Sequence, residues 1–218
     1  MLGAEPLTNT KMKLYKLTNE NGYTYNKTLW GEGVSHSGTG KGPICSEGWI
    51  HAYEHPFIAV FLNPIHAYFK NPRMWEAEGK IDIRDGQLKV GCKTLKTIKE
   101  IPLPKVQDKH FIIFGALALV QASSTVFNSD EIVRFNNGEL LNLLLNYFTT
   151  ISSNSRLRMP ASLLYQAASA LRNSSSTFDK SLIIRYMSAK AVYYCNTARP
   201  PLDLISIAEK NREYLTDA

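Results

Sequence analysis

Cysteine is scarce in this 218-residue chain. Cys45, Cys92 and Cys195 are the only three, and no Cys-x-x-Cys pair occurs. That excludes a disulfide framework and fits thiols kept reduced in a cytosol. Long apolar runs are missing as well: the longest, "FIIFGALALV" (Phe111–Val120), is about half of a membrane span. The opening "MLGAEPLTNTKMK" carries no apolar core of a signal peptide. A soluble, cytoplasmic protein with no membrane association is therefore expected. Charge is modest too, with 25 Lys/Arg against 19 Asp/Glu and a net +6. Residues 1–110 carry 15 basic against 11 acidic side chains, and residues 111–218 carry 10 against 8. This excess permits contact with nucleic acid, a nucleotide or an acidic protein, but demands none of them. The 44% apolar and 20% charged content is that of an ordinary globular chain, long enough for one large or two small domains.

What is present divides near Pro104–Lys109, a boundary that could equally be internal to one domain. Residues 1–12 read as a loose leader. "KLYKLT" (Lys13–Thr18) alternates polar and apolar and predicts a half-buried strand. Asn21-Gly22 is a turn signal, with "YTYNKTLW" as the returning strand. Gly31–Pro43 is glycine-rich and reads as a loop. "PFIAVFLN" (Pro56–Asn63) starts with a proline suited to a first helical turn. "MWEAEGKIDIRD" (Met74–Asp85), "GQLKVG" and "KTLKTIKEIPLP" predict further strands, closed by Pro102 and Pro104.

Beyond Lys109 the period changes. "HFIIFGALALVQASS" predicts a buried helix, and "NGELLNLLLNYFTTI" (Asn137–Ile151) repeats apolar residues every three or four positions. "MPASLLYQAASALR" places Pro160 in a first turn, and "TFDKSLIIRYMSAKAVYYC" follows Thr177 as N-cap. "PLDLISIAEKNREYL" is a fifth helix candidate. "SSNS" and "NSSS" are the loops between them. The expected fold class is α+β: a small antiparallel β-sheet unit over about 13–106, then a C-terminal helical bundle over about 109–218.

The chemistry-bearing residues crowd the N-terminal half. "ICSEGWIHAYEHPFIAVFLNPIHAYF" (Ile44–Phe69) holds three of the five histidines. His51 and His55 have i, i+4 spacing, but Pro56 interrupts a helix through them and a second cysteine is missing. Histidine-braced turns in a packed core are therefore expected, and no metal. Cys45 with His51 as its base is a conceivable nucleophile, though no orienting carboxylate is assignable. "GTGKG" (Gly38–Gly42) resembles a phosphate-cradling loop with Lys41 as the cation. Ser35 stands where the first glycine belongs and Gly42 where Ser or Thr belongs, so a flexible ligand-facing loop is the better reading.

"WEAEG" (Trp75–Gly79) puts Glu76 and Glu78 on one face of a strand. Such a pair suits acid/base work or stabilisation of a cationic transition state, and equally a plain polar face. The Glu-x-Glu resembles that of ADP-ribosyltransferases. In that reading Glu78 stabilises an oxocarbenium-like ribose of NAD, Trp49 or Tyr53 stacks on nicotinamide, and His36 replaces the usual first-strand Arg or His. Trp49, His51, Tyr53 and Trp75, with Lys41, are the candidate ligand-binding residues, because aromatics beside a basic loop can stack a planar base. They equally make a core.

Three blocks taken together carry a wider resemblance: "KLYK" (Lys13–Lys16), "CSEGWIH" (Cys45–His51, with Ile50 inserted before the histidine), and "WEAEG" followed by the lysine-rich Lys89–Pro104 segment. Across about residues 13–104 the chain resembles an uncharacterised domain family widespread in bacteriophage and prophage genomes. The family has no established activity. The resemblance implies a viral accessory protein working in the host cytoplasm, with a host protein complex, nucleic acid or nucleotide as partner. The leading expectation is a protein that binds and inhibits or sequesters such a component without a cofactor. The alternatives are an ADP-ribosyltransferase-like enzyme using NAD, or a structural phage component. Homo-oligomers remain compatible with all three.

Overall fold

The computed structural model describes residues 11–123, 155–172, 178–198 and 202–213. Residues 1–10 of the expected leader, the helix expected at Asn137–Ile151, residues 152–154 and 173–176 of the serine-rich stretches and the Thr177 cap lie outside the described residues, while Met12, expected in the leader, opens the first strand and Ser155 opens a helix. Those described confirm an α+β architecture.

Strand β1 (Met12–Thr18) pairs antiparallel with β6 (Arg73–Gly79), β6 with β9 (Thr94–Ile101), and β9 with β4 (Ser35–Ser37). A second sheet runs β5 (Ile50–Ala52), β8 (Lys89–Cys92), β7 (Ile83–Asp85). The two sheets join twice. Only Lys93 separates β8 from β9. Tyr15 and Tyr53 exchange both backbone hydrogen bonds, at 2.8 and 2.9 Å, which ties the end of β5 to β1. The pairing therefore travels from β1 through β6, β9/β8 and β5 and returns to β1. It encloses a small core of Leu14, Trp30, Ala52, Ala77, Val90, Cys92 and Leu95.

Three local expectations are corrected. "YTYNKTLW" is no single returning strand. It forms two two-residue strands, β2 (Tyr23–Thr24) and β3 (Thr28–Leu29), around a turn at Tyr25–Lys27. Asn26 and Lys27 there adopt positive φ of 56° and 55°, which breaks the extended run. The glycine-rich segment is not all loop, since β4 lies inside it and pairs Ser35 with Lys96 and Ser37 with Thr94. The long strand expected over Met74–Asp85 splits after Gly79, because β6 and β7 belong to different sheets.

Helix α1 (Pro56–His66) begins with its proline at the first turn, as expected, but runs past Asn63 and Pro64. Pro64 forfeits one internal hydrogen bond close to the end, where little helix remains to be disrupted. Asn63 then closes the helix: its carbonyl accepts from Ala67 and Tyr68, and its side-chain amide pairs with the backbone of Phe69.

Helices α2 (Asp108–Ser123), α3 (Ser155–Arg172), α4 (Phe178–Ala198) and α5 (Leu204–Glu213) pack together behind the strands. Pro160 does not sit in a first turn, because α3 already starts at Ser155. Gly115 lets α2 approach α3 and α4 closely, since a Cβ there would lie 2.5 Å from Leu164 on α3 and 3.4 Å from the Ser188 carbonyl on α4. Phe61 of α1 stacks on Phe114 at 4.6 Å and meets Phe111 edge-on at 5.0 Å.

The larger core crosses the expected boundary at Pro104–Lys109. Leu17, Tyr53, Met74 and Leu88 of the strand unit belong to one buried cluster with α1, α2, α4 and α5. Polar links reinforce it. Ile205 N–H donates to Gln87 Oε1 at 2.9 Å, and His55 Nε2 meets Glu209 Oε1 at 2.6 Å. No helix among the described residues is long and apolar enough to cross a membrane.

Candidate functional site

The densest chemistry collects where β5, α1 and β8 meet. Pairing of Ala52 with Val90 brings Tyr53, one residue on, level with Lys89. Helix α1 then turns back and delivers His66 to Tyr53. The tyrosine hydroxyl lies 3.2 Å from His66 Nδ1, and the rings stack at 5.9 Å. His51 Nε2 faces the carbonyl oxygen of Ile44, so the proton of that ring resides on Nε2. Lys89 Nζ lies 3.1 Å from the exposed Cys45 sulfur.

Burial sets the protonation states. It lowers the His66 pKa to about 3, helped by the positive charge of Lys89 and by His51. His51 is also lowered, chiefly by burial; the bond to Ile44 opposes this, and Lys89 and Lys16 add to it. Burial raises the Tyr53 phenol. At neutral pH both imidazoles are therefore uncharged, and the tautomer of His66 sets which partner donates in its hydrogen bond with the Tyr53 hydroxyl. Beneath them lies Lys16, only 8% exposed. Its ammonium donates to the His51 carbonyl at 2.7 Å and sits 5.1 Å from the Trp30 ring. Burial lowers its pKa to about 8.

The other sequence candidates scatter. Trp49 flanks the cluster and donates its indole N–H to Gly42 O at 2.8 Å. Lys41 projects into solvent. The glycine loop is folded on itself, with the Gly38 and Gly40 amides donating to Lys93 O and Gly48 O at 2.8 Å each. Those amides are engaged and do not face an incoming phosphate. Trp75 is buried, donates to Thr18 Oγ1 at 3.1 Å and carries the Arg73 guanidinium over its ring.

Glu76 and Glu78 do share a face, but it is the outer one. Glu76 pairs with Lys13 at 2.9 Å, and that hydrogen bond holds its carboxyl below the usual range. Glu78 is exposed and stands across from Lys13 and Lys96. His36 sits two strands away in register with Leu95, which points into the small core. Its ring meets Trp30 edge-on at 4.6 Å and hydrogen-bonds Leu29 O. The structure therefore places His36 and the two carboxylates on opposite faces of the sheet.

The β5/α1/β8 cluster offers a thiol, an amine, a phenol and two neutral imidazoles. No carboxylate hydrogen-bonds to any of these groups among the described residues. It holds no pair of carboxylates of the kind that flanks an oxocarbenium-like transition state in glycoside chemistry. No three His, Cys, Asp or Glu side chains among the described residues gather to hold a metal ion. His51 and His55 part company: His51 lies on β5 and His55 reaches Glu209 on α5. Cys45 meets Lys89, and His51 turns to a carbonyl and is not its base.

Two residues of the cluster were missed by sequence reasoning. Lys16 carried a signal, since the alternation of "KLYKLT" puts it on the same face as Leu14. Lys89 carried none, because its nearness to Cys45 depends on the pairing of β5 with β8. No family model, curated protein or solved structure matches the chain.

Proposed function

We propose that this is a phage-encoded accessory protein that works by binding a host protein, not by turning over a substrate. The observation that carries this reading is the β2–β3 arm. Tyr25 is 79% exposed and Leu29 51%, with Tyr23 beside them, on a segment whose backbone is tightly fixed. Asn19 Oδ1 accepts from the amides of Asn21 and Tyr23, Trp30 N–H donates to Gly22 O, and Trp30 Nε1 donates to Thr24 Oγ1. Asn26 Nδ2 donates to Glu47 at 3.3 Å, and the left-handed Asn26–Lys27 pair stores strain at the tip. Exposed aromatic and aliphatic side chains on a preorganised arm are what a protein partner's pocket takes up with little ordering penalty.

The outward, lysine-paired Glu76 and Glu78 weigh against the NAD-dependent alternative. The engaged glycine amides weigh against phosphate capture as the main activity. The resemblance of the Lys13–Lys16, Cys45–His51 and Trp75–Gly79 blocks supports the viral setting.

The test is affinity purification of the tagged full chain from a bacterial host, with quantitative mass spectrometry. A stoichiometric host protein is expected. Its recovery should fall at least tenfold with Tyr25→Ser/Leu29→Ser and stay unchanged with Glu78→Gln. Unaltered recovery with the arm variant overturns the assignment. So does ADP-ribosylation of host proteins that Glu78→Gln abolishes.

A further inference from the structure

We propose that Cys45 and Lys89 form a peroxide-responsive modification site that closes to a sulfur–nitrogen cross-link. The two atoms that would be joined already lie 3.1 Å apart, on a loop and a strand 44 residues apart in sequence. The Cys45 sulfur is exposed, so a small oxidant reaches it, whereas Cys92 and Cys195 are buried and do not compete.

The surroundings favour the amine as the group that traps an oxidised sulfur. Among the described residues Lys89 forms no ion pair with a carboxylate. Asp85 stands across from it on β7 without a salt bridge, and Tyr53, His51 and His66 complete the local shell. Both imidazoles are neutral, so neither offers a competing cation to the sulfur. His51 fixes the carbonyl of Ile44, the residue immediately before Cys45, which limits drift of the thiol away from β8. The closest partner of the sulfur is therefore the one amine that can react with its first oxidation product.

The chemistry needs one equivalent of hydrogen peroxide. The Cys45 sulfur attacks one peroxide oxygen, the O–O bond breaks, and the products are a sulfenic acid and water. The Lys89 ammonium releases one proton to solvent, and the freed amine lone pair then attacks that sulfur. The S–N bond forms, the S–O bond breaks, and the departing hydroxide takes the amine proton as a second water. Sulfur is oxidised by two electrons and peroxide is reduced by two. The same condensation is known for sulfenic acids with backbone nitrogen. The link protects Cys45 from irreversible sulfinic oxidation and staples the Pro43–Gly48 loop to β8.

The full chain is treated with equimolar hydrogen peroxide, digested without reductant and analysed by mass spectrometry. The expected product joins the Cys45 and Lys89 peptides with a mass two hydrogens below their sum, and dithiothreitol reverses it. Its formation raises the thermal midpoint of the intact protein, and reduction returns it. Lys89→Arg keeps the positive charge but lacks the reactive amine. It should abolish the cross-link and leave Cys45 as the sulfenic acid, which dimedone captures. Cross-linking that is absent from the wild type, or a product distribution identical in Lys89→Arg, overturns the proposal. Cys45 found only in intermolecular disulfides overturns it too.

Discussion

Lys16→Met tests the unusual placement of a charge inside the small barrel. Folding lowers the pKa of this amine from 10.5 to about 8, with burial as the first cause. At roughly 1.4 kcal/mol per unit that is about 3 kcal/mol against the charged form. Below pH 8 both folded and unfolded chains hold the proton, and the folded state carries the full penalty. Between pH 8 and 10.5 the unfolded chain binds more protons than the folded one, so this contribution to stability rises with pH. Methionine fills a similar volume without charge, but leaves the His51 carbonyl without its 2.7 Å donor, a loss of about 1 kcal/mol. The variant is therefore expected to be about 2 kcal/mol more stable than wild type at pH 7, and slightly less stable at pH 10.5. The assay is urea unfolding of both proteins at intervals from pH 7 to 10.5. Absolute stability of each protein falls at the alkaline end. Burial raises the Tyr53 phenol, the Cys92 thiol (to about 12) and the Cys195 thiol, so the unfolded chain loses those protons first. Both proteins share these groups, and of them Cys92 also feels the Lys16 charge, so the difference between the curves reports Lys16 together with its coupling to Cys92. A difference that stays flat over the whole range refutes the buried-ammonium account.

Acid sensitivity provides a second check. The lowered folded pKa values of His66 (about 3) and His110 (about 4) mean that the unfolded chain binds protons first as pH falls below 6.5. Stability should drop between pH 6.5 and 4 with a slope of roughly 1.4 kcal/mol per pH unit for each of these two rings, the lowered His51 adding to it, and His66→Gln should remove one ring's share in denaturant titrations. Gly48→Ala should destabilise by about 1–3 kcal/mol and loosen the Cys45 loop, because the added methyl overlaps the Lys41 carbonyl oxygen. Hydrogen exchange of the Gly40 amide, bonded to Gly48 O, reports that loosening.

The order of elements was legible because each half obeys one period. "KLYKLT" alternates and forms β1; the apolar run from Phe111 forms α2. Interruptions were harder to read. Pro64 and Pro160 both lie inside helices, since a proline near a helix end removes a single bond that tertiary packing outweighs. The break at Asn26–Lys27 rests on two left-handed non-glycine residues, for which composition gives no signal beyond the asparagine. The three candidate histidines of the Ile44–Phe69 stretch were visible as bracing groups, but their partners were not. His51 finds Ile44 seven residues away, whereas His55 finds Glu209 across 154 residues.

The same contrast separates the two kinds of candidate chemistry. Glu76 and Glu78 share a face by local strand geometry alone, and spacing predicts that much. Which face they share is decided by neighbours. Leu14, Ala77 and Leu95 claim the inside of the barrel, so the residues alternating with them, Lys13, Glu78 and Lys96, turn outward as one row of opposite charges. Glu76 on the same outer face is held below the usual carboxylate range by its hydrogen bond to Lys13, so it is stabilised as the anion and is poorly suited to hold a proton for transfer. Cys45 and Lys89 meet through the opposite logic. No motif links the two residues: the antiparallel register of β5 with β8 sets Lys89 near His51, and the bond from His51 to the Ile44 carbonyl folds the Cys45 loop back to it. In a chain whose strands are this short, the chemically distinctive contacts depend on register, and register depends on which alternating face the core requires.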